Sequence, residues 1–245
     1  MKNQNSITKL EENFKKFNWF IMMNSAFIIL GVILQYTTPQ EISYLGKSNW
    51  ITGIPFLRTW YLSIPTILNV LMVVYYISFF YNNKKCNETY NKELSTFLKR
   101  LEGFKFFTNI ALFIFFYVLF YKLVIPIQKI YKFKLSGHVV ATLISGSILF
   151  NLFMTTQDMN KNEIGKKELN LALYYLTCFM ILHNSYTIVF TAWIYHPIRE
   201  TILAFLITSC YLYTINFMKI DTIVLLAFSP ELPVEIESNF VNKIN

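Results

Sequence analysis

Hydrophobic residues along the chain gather in six long stretches that are almost free of charge and are separated by polar segments. Each stretch is about 20 residues long, which at ~1.5 Å per residue matches the ~30 Å hydrocarbon core of a bilayer. The stretches are apolar on all sides, whereas a soluble helical protein would show stripes at a period of about 3.6 residues. The pattern predicts an all-α, polytopic membrane helix bundle with six spans, near residues 17–36, 60–81, 104–125, 136–154, 169–193 and 197–217.

Basic residues alternate in density between successive loops. Fifteen of the 22 Lys and Arg lie in the N-terminal tail, the second loop, the fourth loop and the C-terminal tail. Short segments rich in Lys and Arg favour the cytosolic side, or the matrix side of a mitochondrial membrane. We therefore expect both termini on the cytosolic or matrix side, and the turns before the fourth and sixth spans on the opposite side.

The composition agrees with a membrane protein. Of the 245 residues, 54% are hydrophobic and only 15% are charged, which leaves too little polar surface for a soluble domain of this length. The net charge of +8 lies in short segments between spans, which favours the lipid bilayer and its anionic lipids as partners and argues against nucleic acid. No linker or repeat divides the chain, so residues 1–245 are predicted to form a single domain.

Cysteines suggest no special chemistry. There are three, and they show neither an even count nor paired spacing, so the sequence predicts no disulfide framework and no zinc site at Cys86, Cys178 and Cys210.

Two histidines stand at the starts of predicted helices on the side opposite the termini. His138 follows Ser136 and Gly137 at the start of the fourth span, and His196 directly precedes Pro197 at the start of the sixth. The 58 positions between them correspond to a helix, a loop and a second helix, so the fold can bring the two side chains together. Ser136 is suited to cap the fourth helix.

The surroundings of the two histidines favour phosphate chemistry. Helix N-termini offer free amide hydrogens and a partial positive charge, and they favour the neutral imidazole that can act as a nucleophile. Glu200, four residues after His196, can hydrogen-bond its ring and fix the tautomer. Further phosphate charge can be neutralised by Lys129, Lys132, Lys134 and Arg199. The alternative is that each histidine is only an amphipathic anchor at the membrane surface.

The third histidine, His183, lies in the middle of the fifth predicted span. An ionisable side chain is costly at that depth and usually faces the bundle interior. We expect His183 to be buried and to hydrogen-bond to a neighbouring helix rather than to take part in catalysis.

Three stretches resemble one protein family when they are taken in order. They are "FKLSGHVV" around His138, "YHPIRETILA" around His196, and the tail "FSPELP" from Phe228 to Pro233. Together with six spans, they resemble the fat-storage-inducing transmembrane (FIT) family, a branch of the lipid phosphatase superfamily in the endoplasmic reticulum. The resemblance covers roughly residues 104–235 by motif.

The resemblance implies a metal-independent acyl-CoA diphosphatase or lipid phosphatase that needs no cofactor. Such an enzyme hydrolyses the phosphoanhydride of fatty acyl-CoA, or a related lipid phosphate, at the lumenal face and supports lipid storage. His196 would be the nucleophile and His138 the general acid. The family usually has an acidic residue where this chain has Lys134, and Lys and Gly where it has Thr201 and Ala204.

These departures leave a second hypothesis open. The chain is also rich in Lys, Asn, Ile, Phe and Tyr, the residues of AT-rich codons. A former lipid enzyme that now serves as a non-catalytic scaffold would show both the departures from the family pattern and this composition. It would be an accessory subunit of a large membrane complex, such as an expanded respiratory complex of the mitochondrial inner membrane, with the other subunits as its partners.

Overall fold

A computed structural model describes residues 2–38, 63–82, 105–131, 134–161, 166–218 and 220–228, and these residues contain helices and no strand. The helices are α1 (Lys2–Thr37), α2 (Ser63–Asn82), α3 (Phe106–Ile114, Phe115–Val124 and Ile125–Tyr131), α4 (Gly137–Lys161), α5 (Lys167–Phe190 and Thr191–Tyr195), α6 (Ile198–Phe217) and α7 (Ile220–Phe228). The middle piece of α3 and the last piece of α5 are π-helical.

Five of the helical stretches are long and apolar enough to cross a membrane: Lys15–Thr37, Phe106–Gln128, Gly137–Lys161, Lys167–Ile194 and Ile198–Phe217. They coincide with five of the six predicted spans. The remaining predicted span coincides with α2, whose apolar stretch Ser63–Ser78 is shorter. The chain is therefore an all-helical integral membrane protein, while the number of six spans and the side of the termini stay predictions.

The end of α3 and the presence of α7 differ from the sequence prediction. The third apolar run was expected to end before Pro126, but α3 continues through it to Tyr131. Pro126 is the second residue of the piece that follows the π-helical turns, a first-turn position where a missing amide hydrogen is best tolerated. The short helix α7 was not predicted at all, because its 9 residues are too few for a membrane span.

Helix α4 lies at the centre of the bundle. In its apolar part 83% of the residues are buried, against 33% or less in the other four span candidates. It packs against α1, α2, α3, α5 and α6. Small residues permit this close packing: a Cβ atom on Gly146 would lie 2.6 Å from the amide nitrogen of Asn184 on α5 and 3.1 Å from the ring of Phe20 on α1. The small residues Ala141 and Ser145 of α4 are also buried.

Four asparagines form a hydrogen-bonded row, the asparagine ladder, across four helices. The Asn109 amide donates to Asn69 Oδ1 at 2.9 Å, and the Asn151 amide donates to Asn109 Oδ1 at 2.8 Å and to Asn216 Oδ1 at 3.4 Å. Asn216 in turn donates to Ser147 Oγ at 3.3 Å. Because each amide offers both donors and acceptors, the ladder satisfies polar groups in an apolar interior and joins α2, α3, α4 and α6.

Helix α7 is tied to the start of α3 through Asp221. Its carboxylate accepts hydrogen bonds from the amides of Phe107 at 2.7 Å and Thr108 at 3.2 Å, and from the Thr108 hydroxyl at 2.5 Å. An anion at a helix N-terminus satisfies amide hydrogens that have no partner within the helix. Lys105, which directly precedes α3, is half-buried near this carboxylate and also donates to Asn216 Oδ1 at 3.4 Å.

Candidate active site

His138 lies in the first turn of α4. The helix begins at Gly137, and the Ser136 hydroxyl accepts a hydrogen bond from the amide of Val139 at 3.3 Å, so Ser136 is the predicted N-cap. The His138 side chain is exposed, while its carbonyl accepts a hydrogen bond from the Thr142 hydroxyl. The ring therefore projects from a well-anchored backbone.

Gly137 has a close neighbour on α3. A Cβ atom at this position would lie 3.1 Å from the ring of Phe120, in the π-helical piece of α3. Gly137 therefore lets α3 pack against the start of α4, next to His138. We regard its role as structural support for the histidine.

His196 lies between two helices rather than in one. The π-helical end of α5 stops at Tyr195, and α6 begins at Ile198. The residue before a proline is restricted to extended conformations, and His196 accordingly has φ −131° and ψ 142°. Pro197 is at the N-cap of α6, one residue before the first-turn position expected from the sequence. The His196 ring is therefore carried by a short extended segment, and it is only partly buried.

Glu200 holds the ring of His196. Its carboxylate Oε2 lies 3.1 Å from Nδ1 of His196, which stands four residues earlier at the same helix start. About a fifth of each side chain is exposed, 21% for His196 and 19% for Glu200. The expected hydrogen bond between these two residues is present.

The two histidines lie side by side. Nδ1 of His138 is 3.3 Å from Nε2 of His196, and the ring centres are 5.5 Å apart. The two helix starts are also joined by a main-chain hydrogen bond, from the amide of Ser136 to the carbonyl of Glu200 at 3.4 Å. The sequence prediction that the fold brings His138 and His196 together is confirmed.

Hydrogen-bond partners assign the ring protons. An ionised carboxylate can only accept, so Nδ1 of His196 carries its proton toward Glu200. In the neutral ring, Nε2 of His196 then holds a lone pair, and it accepts from the Nδ1 proton of His138. The pair thus presents one nitrogen that can act as a nucleophile and a neighbouring nitrogen that can donate a proton.

The structure describes the four predicted phosphate-binding residues to different extents. Lys134 and Arg199 are exposed and lie next to the histidines in sequence, before α4 and in the first turn of α6. Only the backbone of Lys129 is described, and Lys132 lies outside the described residues. Two of the four cations are therefore exposed within four residues of a histidine in sequence.

The remaining candidates lie away from the histidine pair or outside the described residues. In the described part of the chain, no three His, Cys, Asp or Glu side chains are grouped so that they could hold a metal ion. Cys178 is half-buried and Cys210 is exposed, both as free thiols. Cys86 and residues 229–233 of the "FSPELP" tail are not described.

His183 differs from expectation. It is only half-buried, and its ring makes no hydrogen bond to any described residue. Its carbonyl accepts a hydrogen bond from the Thr187 hydroxyl at 2.9 Å, within α5. The expectation of a buried bond from this ring to a neighbouring helix is therefore wrong for the described residues.

The sequence reasoning missed Gln35 on α1. Its side-chain amide donates to the main-chain carbonyl of His196 at 3.4 Å, across 161 residues. A polar residue near the end of a predicted span was the available signal, since such residues usually face protein rather than lipid.

Comparisons with family models, curated proteins and solved structures return no match to this chain. The functional assignment therefore depends on the site geometry and on the sequence motifs.

Proposed function

We propose that this protein is a membrane-embedded phosphohydrolase, similar to the FIT family, that cleaves the phosphoanhydride of fatty acyl-CoA or a related lipid phosphate. The observation that carries the proposal is the row of three side chains in which Glu200 contacts one ring nitrogen of His196 and His138 contacts the other. A nucleophile, a group that orients it and a proton donor within hydrogen-bond distance are what covalent phosphoryl transfer requires.

The first step uses His196 as the nucleophile. Its Nε2 lone pair attacks phosphorus, an N–P bond forms, and the P–O bond to the leaving group breaks. His138 donates its Nδ1 proton to the departing oxygen. Glu200 accepts the hydrogen bond from Nδ1 of His196 throughout and stabilises the positive charge that develops on the ring.

The second step returns the site to its starting state. Water attacks phosphorus, the N–P bond breaks, and Nε2 of His196 regains its lone pair. His138, now lacking its proton, accepts one from the attacking water. The exposed position of His138 gives water access to this step. The reaction consumes one water molecule and leaves both histidines unchanged.

Positive charge next to the histidines supports a phosphate substrate. Lys134 and Arg199 are exposed near the two helix starts, and the N-termini of α4 and α6 add their partial positive charges. We propose that these groups bind the phosphate oxygens before attack, with Lys129 and Lys132 as further contributors.

The membrane placement is part of the proposal. Six spans with both termini in the cytosol would put the starts of α4 and α6 on the lumenal side of the endoplasmic reticulum. An acyl chain could then lie in the bilayer while its phosphate reaches His138 and His196. Cell fractionation that separates endoplasmic reticulum from mitochondria tests this location.

The deciding experiment is an acyl-CoA cleavage assay on the purified protein in lipid, with EDTA present. We expect release of the two phosphate-containing products at a rate proportional to protein concentration and unchanged by EDTA. Absence of this activity, and of activity on simpler lipid phosphates, would contradict the proposal. Recovery of the chain at fixed stoichiometry with a large membrane complex would then support the accessory-subunit hypothesis.

A further inference from the structure

Helix α1 reaches the segment that carries His196. The Gln35 amide nitrogen lies 3.4 Å from the His196 carbonyl oxygen, and the Gln35 amide oxygen is buried with no hydrogen-bond partner among the described residues. Rotating the amide by half a turn would bring its oxygen against the carbonyl oxygen, and two acceptors repel each other. The donor of Gln35 is therefore directed at His196 by the chemistry of the contact.

A second contact of α1 lies one turn earlier. A Cβ atom on Gly31 would lie 2.6 Å from both the Cβ atom of Ala192 and the carbonyl oxygen of Val189. The backbone of α1 therefore lies against the last turns of α5, immediately before His196. Because Gly31 and Gln35 are four residues apart, they lie on the same face of α1. Two independent contacts on that face fix the same segment.

The segment that carries His196 needs the support of these contacts from α1. His196 has an extended backbone between a π-helical piece and α6, so regular helical hydrogen bonds do not hold its peptide group. π-helical turns are frequent where a functional residue must be re-aimed. Glu200 fixes the rotation of the ring, whereas the His196 carbonyl is held from α1, by Gln35.

We propose that Gln35 is a positioning residue, which holds the His196 peptide so that Nε2 stays aimed at the reacting phosphorus. The proposal deepens the phosphohydrolase function above and rests on it. Gln35 contacts the backbone of the nucleophile and neither the substrate nor the reacting atoms. Its loss should therefore lower kcat and leave substrate binding nearly unchanged, because a displacement of about 1 Å at a reacting atom can cost roughly 10²-fold in rate.

The test compares three substitutions. Gln35→Leu removes the donor but keeps the approximate size of the side chain, and Gln35→Met is a second apolar variant should Leu reduce folding. Gln35→Glu places a carboxyl group at the same point. The matched control is Thr37→Val, on the same helix, because among the described residues the Thr37 hydroxyl bonds only the carbonyl of Ile33, at 3.0 Å. Thermal unfolding confirms that each variant is folded before its kinetics are measured.

For Gln35→Leu we expect kcat to fall by about 10- to 10²-fold with little change in KM, and Thr37→Val to match the wild type. In Gln35→Glu, an ionised carboxylate cannot donate to a carbonyl, but a protonated carboxyl group can. The ratio of Gln35→Glu activity to Gln35→Leu activity should therefore rise as the pH falls from about 7 to about 5, toward the ordinary pKa of a glutamate, about 4.3. A merely structural role would leave this ratio constant with pH.

A measurement without substrate separates this proposal from the proposed function. Diethyl pyrocarbonate modifies neutral imidazoles, and mass spectrometry reports the rates at His138 and His196 separately. We expect Gln35→Leu to make His196 react several-fold faster, since its segment is released from α1. Unchanged kcat together with an unchanged His196 rate would overturn the positioning role. An inactive wild type would overturn the hydrolase alone, and the His196 rate would still decide the role of Gln35.

Discussion

Nδ1 of His138 and Nε2 of His196 lie 3.3 Å apart, within hydrogen-bond distance, although one ring stands on α4 and the other precedes α6. A phosphorus atom cannot fit between two nitrogens at that separation. In-line displacement needs phosphorus between the nucleophile and the leaving group, with the proton donor beyond the latter. A substrate must therefore separate the rings, and the exposed His138 ring is the one with room to turn.

Substitution of the two histidines should have unequal effects. His196→Ala should abolish acyl-CoA cleavage, because no N–P bond can form, whereas His138→Ala should slow it by about 10²–10⁴-fold as expected for a lost general acid. Both proteins should stay folded, since neither ring belongs to the core. Steady-state kinetics and thermal unfolding check both statements. Unchanged activity in both variants would show that the histidines are not catalytic.

Glu200→Gln tests the role of charge next to His196. The amide oxygen can still accept from Nδ1 of His196, but the negative charge that stabilises the cationic ring is lost. We expect kcat to fall by about 10²-fold or more. The control is Glu168→Gln, an acidic residue in the first turn of α5. Equal activity of the two variants would contradict a role for Glu200 beyond helix capping.

The asparagine ladder should contribute to stability without affecting the site. Asn109→Ala leaves Asn69 Oδ1 without its donor and removes the shorter of the two hydrogen bonds that the Asn151 amide donates, so we expect a loss of about 1–3 kcal/mol in the free energy of unfolding. Asn24→Ala is the matched control, since buried Asn24 bonds the carbonyl of Phe20 on its own helix, at 2.7 Å. Unfolding experiments in detergent measure the free energy of unfolding of both variants. A loss no larger for Asn109→Ala than for Asn24→Ala would argue against the ladder.

The activity of the folded Asn109→Ala protein should match the wild type. Asn151, the member of the ladder on α4, is 13 residues from His138, which corresponds to about 20 Å along a helix. A selective loss of kcat in this variant would show coupling between the ladder and the histidine pair.

Lys105 and Asp221 should make stability depend on pH. Burial lowers the pKa of Lys105, partly opposed by the charge of Asp221. Burial also raises the pKa of Asp221, opposed by the hydrogen bonds from Thr108 and Phe107 and by the charge of Lys105. Between its lowered pKa and 10.5, folded Lys105 loses its proton while the unfolded form keeps it, so stability from this group rises with pH.

Lys105→Met isolates that contribution. Other groups titrate in the same range, but the difference in melting temperature between wild type and variant contains chiefly the contribution of Lys105. We expect the melting temperature of the wild type to rise relative to that of the variant as the pH rises toward 10.5, the ordinary pKa of a lysine. A constant difference across that range would show that Lys105 titrates normally.

The positions of five apolar helices long enough to span a membrane could be predicted from sequence, because hydrocarbon thickness sets both the length and the composition of a span. The nearness of His138 and His196 followed from counting spans and from the helix-start residues Ser136 and Pro197. Neither inference needs the rotation of a helix about its axis, which explains why both could be made from one sequence.

The asparagine ladder and Gln35 could not be predicted in the same way. Asn69, Asn109, Asn151 and Asn216 each lie in a different predicted span, and each alone indicates only a side chain that faces protein. Which of them meet depends on how the helices are rotated and packed. The π-helical pieces also escape prediction, because the hydrophobic pattern along α3 and α5 does not distinguish π-helical from α-helical turns.

The contact between Gln35 and His196 has a consequence for how the protein is made. Their 161-residue separation means that the ribosome, at roughly 5–20 residues per second, needs on the order of 10 s to add the second residue after the first. Throughout that interval, the helices already inserted in the bilayer, α1 with Gln35 among them, lack His196. Under the proposed mechanism, a chain that ends before His196 therefore cannot attack the phosphate of a lipid substrate.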